Sequence, residues 1–433
     1  MNPPGSANFL AGVVEGFYGP PWSYEERGQL FRQMQAGGLN TYIYAPKDDL
    51  HHRAHWREPY SAGEGLRLAA LIRAAQVHGV RFVYALSPGL DLRYGEPGDE
   101  HALQCRFAQL LALGCEHFAL LFDDLPDRFD TGSMALAHCA TANTVFRFLR
   151  EQTASAQLAF CPTPYCGRMA ASGVGEPDYL ATVGRELAPE IDVFWTGPEI
   201  ISREITVDHV RELQTLLRRK PLIWDNLHAN DYDGRRFFCG PYSGRSAEIC
   251  GEVRGLIVNP NGEFPLNFVP LHTFASFVRG AGLDARAAFL AALRAWWPSF
   301  ATMGAPLGWE EFVVFCDCYY LPHTDGPEAE ALFRRIQGAI GSKPAPGVRV
   351  SIGRLRDFCG RLTELKDRPL FYALSRRAWE LREELDLLDR YLASADGAVA
   401  SDFHLPGTYR GGFVPRLQQL LVAKPDGSFA PPS

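Results

Sequence analysis

Eight short apolar runs, rich in β-branched and aromatic residues, recur through the first 260 residues of the 433-residue chain. They are 12-GVVEG-16, 41-TYIYAP-46, 81-RFVYALSP-88, 117-HFALLFDD-124, 157-QLAFCP-162, 191-IDVFWTG-197, 221-PLIWDN-226 and 255-GLIVNP-260, with starts 29 to 40 residues apart. That spacing leaves room for a crossover helix between parallel strands. Helix-start signals stand where such helices should begin. Ser23 precedes Glu26 ahead of LFRQMQAGG, and Ser61 precedes Glu64 ahead of LRLAALIRAAQVHG, both in the spacing of a capping box. Runs apolar on both faces and separated by helices indicate a buried parallel sheet. Eight such units fit a (β/α)8 barrel, whereas a doubly wound sheet usually has fewer strands and a G-x-G-x-x-G turn, which follows none of these runs.

Beyond residue 260 the period becomes helical, in 284–297, 308–321, 327–341, 347–367 and 370–395. The expected organisation is a catalytic (β/α)8 TIM barrel over 1–285, a smaller all-α helical bundle over 286–400 and an irregular C-terminal tail over 401–433. The segment 263–280 is a candidate for the last barrel helix.

Composition narrows the function classes. A formal charge of −7 and no Lys/Arg-rich run argue against nucleic acid or an anionic membrane as partner. No stretch reaches the length of a membrane span, and MNPPGSANFLAGVVEG lacks a basic segment followed by an apolar one, so a cytoplasmic location is expected. The 10 cysteines form no CxxC pair and show no zinc-finger spacing, which favours reduced, buried thiols. Only five lysines stand against 38 arginines, so each lysine draws notice.

In barrel enzymes the residues that end the strands line one mouth. Here those ends are Glu15 and Gly16, Lys47 and Asp48, Ser87, Asp123 and Asp124, Cys161 through Tyr165, Trp195 and Thr196, Trp224 with Asp225 and Asn226, and Asn259. Carboxylates, amides, a lysine and aromatic faces suit a neutral polyhydroxylated ligand, best a sugar.

The adjacent pair Asp123 and Asp124 is the sharpest signal. Neighbours on a strand point to opposite faces, so two buried aspartates in a row require that the strand end there. A helix cap beside a solvated charge is one reading. A hard-cation site completed by Asp48 and Asp225 is another. The third, favoured at a barrel mouth, is a proton-handling pair in which one carboxyl keeps a proton to give away. Sequence neighbours are awkward as a direct nucleophile and acid, yet they suit glycoside hydrolysis in which the substrate's own 2-acetamido oxygen attacks the anomeric carbon. His51, His52 and His55 in HHRAH read as packing or surface residues rather than metal ligands.

The segments GVVEGFYGPPW, NTYIYAPKDDLHHRAHWRE, YALSPGLD, FALLFDD, FCPTPYCG, WTGPEI, IWDNLHANDYD, GPYSGRS and NPNGEF, in that order from about residue 9 to 280, resemble the catalytic domain of the glycoside hydrolase family 84 β-N-acetylglucosaminidases, the O-GlcNAcases. The resemblance implies a retaining, substrate-assisted mechanism through an oxazoline, with no metal and no cofactor. It implies that Asp123 orients and deprotonates the acetamido nitrogen and that Asp124 is general acid, later base. It implies that Tyr165 bonds the acetamido group, that Cys161 and Trp224 stand near the pocket for its methyl, and that Gly16, Lys47, Asn226, Asp231 and Asn259 hold hydroxyls and acetamide. The long insertion and acetyltransferase-like domain of animal members have no counterpart in these 433 residues.

The expected reaction is removal of O-linked N-acetylglucosamine from Ser/Thr of proteins, with O-GlcNAc-modified proteins or other N-acetylglucosaminides as partners. A hexosaminidase acting on polysaccharide or hyaluronan-type glycans, and a non-catalytic N-acetylglucosamine-binding protein, are the alternatives. The later helices carry no identifiable chemistry and are expected to give structural support or a homodimer contact.

Overall fold

The computed structural model describes residues 9–125, 131–170, 179–280, 284–340 and 346–393, together with the backbone of 422–423 and 429–430. Two compact units emerge, Met1–Pro298 with Tyr319–Gly326, and Ser299–Cys318 with Pro327–Ser433.

The first unit is a closed barrel of eight parallel strands, β1 (Leu10–Glu15), β2 (Thr41–Tyr44), β3 (Arg81–Leu86), β4 (His117–Leu121), β5 (Gln157–Cys161), β6 (Asp192–Trp195), β7 (Leu222–Asp225) and β8 (Gly255–Val258), in sequential order. β1 pairs with β2 at Val14↔Ile43 and closes on β8 at Gly12↔Ile257. Both expected capping boxes form: Ser23 starts the helix Tyr24–Gly37 and Ser61 the helix Ala62–Val77, each with reciprocal bonds to the glutamate three residues on.

Alternation along the strands sorts their side chains into two cores. One set, including Val14, Ile43, Ala119, Leu121, Ala159, Phe194, Leu222 and Ile257, packs together as the barrel interior. The intervening set, including Val13, Tyr42, Phe118, Leu120, Phe160, Trp195, Ile223 and Val258, belongs to a larger core that also holds helix residues. The parity of that alternation decides which strand-terminal residues can reach the mouth.

The first compact unit runs past residue 285. The helix Ala285–Trp296 belongs to the first unit, where Phe289 meets Tyr320 edge-on at 5.0 Å and Trp296 stacks with Phe268. The helix expected to run to 321 stops at Asp317. The carbonyls of Tyr319 and Tyr320 instead accept from the backbone N–H of Cys239 (2.9 Å) and Gly240 (2.6 Å), which draws 319–326 into the barrel unit. The second unit contains the helices Trp309–Asp317, Pro327–Ala339, Pro346–Arg361 and Arg368–Ala393, with Phe312 against Phe300 at 4.4 Å and Phe315 against Phe358 at 5.4 Å in its core. Of the tail expected to be irregular, the described residues form a two-residue antiparallel pair, Val422–Ala423 with Phe429–Ala430. Among the described residues no helix is long and apolar enough to cross a membrane.

Candidate active site

A cavity of about 720 Å3 opens in the barrel unit, and all ten residues singled out from the sequence line it: Gly16, Lys47, Asp123, Asp124, Cys161, Tyr165, Trp224, Asn226, Asp231 and Asn259. Most continue the inward parity of their strands: Gly16 follows Val14, Asp123 follows Leu121, Cys161 follows Ala159, Trp224 and Asn226 follow Leu222, and Asn259 follows Ile257.

Other residues of the expected ring lie elsewhere, and for Glu15, Trp195 and Asp225 the reason is outward parity. Glu15 is fully buried and accepts from Arg27 (2.7 and 2.8 Å), the Trp22 backbone N–H and Tyr42. Asp225 is tied to Arg245 through two bonds of 2.7 Å and accepts from Tyr242. Trp195 donates to His209 on the outer side. Asp48 accepts from the Gly19 N–H at 3.0 Å, and Ser87 is buried without lining the cavity. His52 is likewise a buried packing residue, bonded to the Ala85 carbonyl, and burial lowers its pKa to about 3.

The two aspartates differ in setting. Asp123 is buried and takes a charge-assisted bond from the Lys47 ammonium on Oδ2, while its Oδ1 is buried with no hydrogen-bond partner. Burial opposes the charge on Lys47, but Asp123 and Asp124 outweigh it and raise the lysine pKa. Asp124 is exposed and has φ +53°, in the left-handed region that costs a non-glycine residue about 1–2 kcal/mol and that Asp tolerates better than most. This break in the strand conformation lets two sequence neighbours line one cavity. Both Asp124 oxygens accept hydroxyls, Oδ1 from Tyr165 at 3.0 Å and Oδ2 from Tyr18 at 2.8 Å. Burial first, and then the charge of Asp124, raises the pKa of Tyr165, so its hydroxyl stays a donor at working pH.

On the opposite wall the amide orientations are fixed by a chain of bonds. Asn226 Nδ2 donates to the Ile200 carbonyl (2.8 Å), so its Oδ1 accepts from Trp224 Nε1 and from Asn259 Nδ2, each at 3.0 Å. Asn259 Oδ1 is thereby left buried without a partner. Trp224 lies so close to Gly16 that a Cβ there would fall 2.2 Å from the indole ring. Burial, and then Asp123, pushes the Cys161 thiol well above its ordinary range, so it serves as an apolar wall. Asp231 fixes the neighbouring loop by accepting from the Tyr18 N–H at 2.9 Å.

Sequence reasoning missed Tyr18, Arg53 and His323. Tyr18 and His323 line the cavity, and Arg53 donates to Tyr18. Tyr18 carried a signal in its place two residues past the inward Gly16; Arg53 sat inside the HHRAH stretch, where only the histidines were weighed.

A barrel with this cavity can be matched to known proteins. The family model of beta-N-acetylglucosaminidase covers residues 11–302. The chain belongs to that family. Among relatives of this beta-N-acetylglucosaminidase family member, Protein O-GlcNAcase of Rattus norvegicus and of Mus musculus are each 45% identical over 281 residues, which is 64% of this chain and 30% of theirs. The chain thus spans about a third of the length of these relatives. A solved structure of an O-GlcNAc hydrolase mutant from Thermobaculum terrenum superposes with a TM-score of 0.77 at 29% identity, over 89% of this chain and 84% of that one.

Proposed function

We propose that this chain is a retaining β-N-acetylglucosaminidase that removes O-linked N-acetylglucosamine from Ser/Thr of proteins by substrate-assisted catalysis. The observation that carries the reading is the asymmetry of the carboxylate pair, Asp123 buried with one oxygen held by Lys47 and the other unpartnered, Asp124 exposed in the same cavity.

The unpartnered Asp123 oxygen is an acceptor suited to the N–H of a 2-acetamido group, and the Lys47 ammonium holds the other oxygen in place for that task. The acetamido oxygen attacks the anomeric carbon as the bond to the leaving oxygen breaks. Asp124, protonated, gives its proton to that oxygen, and Asp123 takes the amide proton as the oxazoline forms. Water then attacks the anomeric carbon of the oxazoline, giving its proton to Asp124, while Asp123 returns its proton to the nitrogen as the acetamide re-forms, which restores the starting states. Asn259 Oδ1 is a second unpartnered acceptor for a sugar hydroxyl. The names of the relatives, Protein O-GlcNAcase and O-GlcNAc hydrolase, support protein-linked N-acetylglucosamine as the substrate class.

The test is a pair of variants assayed on aryl N-acetyl-β-glucosaminides. In kcat/KM, which reports the first step alone, Asp124→Asn should spare substrates with strongly acidic leaving groups and lose about 10²–10⁴-fold on poor ones. Asp123→Asn should slow every acetamido substrate. Equal losses for Asp124→Asn on all leaving groups, or an unchanged rate for Asp123→Asn, would remove these assignments.

A further inference from the structure

We infer that Arg53 is a positioning residue for Asp124, acting through Tyr18 and through the Asp124 backbone. The inference rests on the reading of Asp124 as the general acid.

Three contacts carry it. Arg53 Nη1 donates to the Tyr18 hydroxyl at 2.6 Å, that hydroxyl donates to Asp124 Oδ2 at 2.8 Å, and Arg53 Nη2 donates to the Asp124 carbonyl at 3.3 Å. A phenol that accepts from a guanidinium must turn its own proton away from it. Here the other neighbour is Asp124. Tyr165, which holds the second Asp124 oxygen, is buried and needs no such guide; Tyr18 is 45% exposed and its hydroxyl is otherwise free to rotate. The second guanidinium nitrogen holds the carbonyl of Asp124, whose φ of +53° lies in the left-handed region. One planar side chain thus fixes both the carboxylate and the backbone of Asp124, and a fork of donors is needed to do both. Arg53 also lies 5.8 Å from the Tyr18 ring centroid and Lys47 5.9 Å, so the ring is flanked by two cations.

The proton given to the leaving oxygen comes from Asp124 in every variant of Arg53; what changes is how often its carboxyl stands in line with that oxygen. A misplaced acid matters most where the leaving group needs a proton most.

The experiment measures kcat and KM for a series of aryl N-acetyl-β-glucosaminides, from dinitrophenyl to unsubstituted phenyl, with wild type, R53M, R53K, Y18F and R53M/Y18F. R53M should lose about 10²-fold in kcat/KM on the phenyl substrate and stay within about threefold on the dinitrophenyl one. R53K should recover part of the loss, since an ammonium reaches Tyr18 without spanning to the carbonyl. The double variant should lose far less than the product of the single losses. A uniform loss across leaving groups, or losses that multiply, would overturn the inference. If R53M does not fold by thermal melting, Y18F decides: a steeper leaving-group dependence supports the relay, and an unchanged one overturns it. Wild type turning over none of the series would overturn the glycosidase reading and this inference with it, which separates the two failures.

Discussion

Lys47 donates to one oxygen of Asp123 and leaves the other oxygen of that buried carboxylate without a partner. The cation therefore satisfies half of the group and holds the remaining half ready for a ligand. Removing it strands a buried charge, so Lys47→Met should lower stability by about 3–5 kcal/mol and abolish most turnover. Because Asp123 and Asp124 raise the Lys47 pKa above its ordinary 10.5 against the effect of burial, the stabilisation is fully present below pH 10.5 and is lost as pH rises through the higher folded-state value. The gap in stability between wild type and Lys47→Met should thus stay level from about pH 6 to 9. A gap that closes within that range in urea titrations would contradict the pairing.

Gly16 and Trp224 define one wall of the cavity by close approach. A methyl at Gly16 would lie 2.2 Å from the Trp224 ring, so the indole must move. Gly16→Ala should cost about 1–3 kcal/mol in stability and raise KM for N-acetylglucosaminides more than it lowers kcat. Unchanged unfolding and unchanged KM would show that the wall yields.

Asn226 orients Asn259 rather than acting alone, since its Oδ1 collects both Trp224 and Asn259. Asn226→Ala and Asn259→Ala should each raise KM, and the double variant should add little. Fully multiplicative effects on KM would place the two residues in independent roles.

Acid sensitivity follows from buried histidines. His138 is stacked on Phe122 at 4.0 Å and bonded to the Tyr94 and Tyr179 hydroxyls, and burial holds its pKa down at about 3; His228 is held at about 4 for the same reason. The unfolded chain takes up these protons near 6.5 and the folded chain does not, so stability is retained above pH 6.5 and falls as pH drops below it. The His138 ring resonances should not shift between about pH 8 and 5. A titration midpoint near 6.5 would refute the buried neutral state.

Most of the architecture was legible because the signals were local or periodic. Capping boxes at Ser23 and Ser61 and eight apolar runs are properties of short stretches, and the strands appear where those runs lie. The cavity was legible through strand ends, yet parity should have excluded Glu15, Trp195 and Asp225, whose side chains turn outward to Arg27, His209 and Arg245. Illegible features depend on distant partners. The helix ending at Asp317 is shortened by carbonyls that Cys239 and Gly240 claim from far along the chain. Nothing in FALLFDDLPD announces φ +53° at Asp124, although aspartate tolerates that region, and the approach of Tyr18 and Arg53 to Asp124 is made by three loops closing on one another.

The central claim is that the substrate's acetamide is the nucleophile. The most direct measurement compares hydrolysis of an aryl N-acetyl-β-glucosaminide with that of the matching aryl β-glucoside, which carries a 2-hydroxyl instead. Fast turnover of the first with none of the second is the predicted result; comparable turnover of both would contradict it and require a nucleophile supplied by the protein.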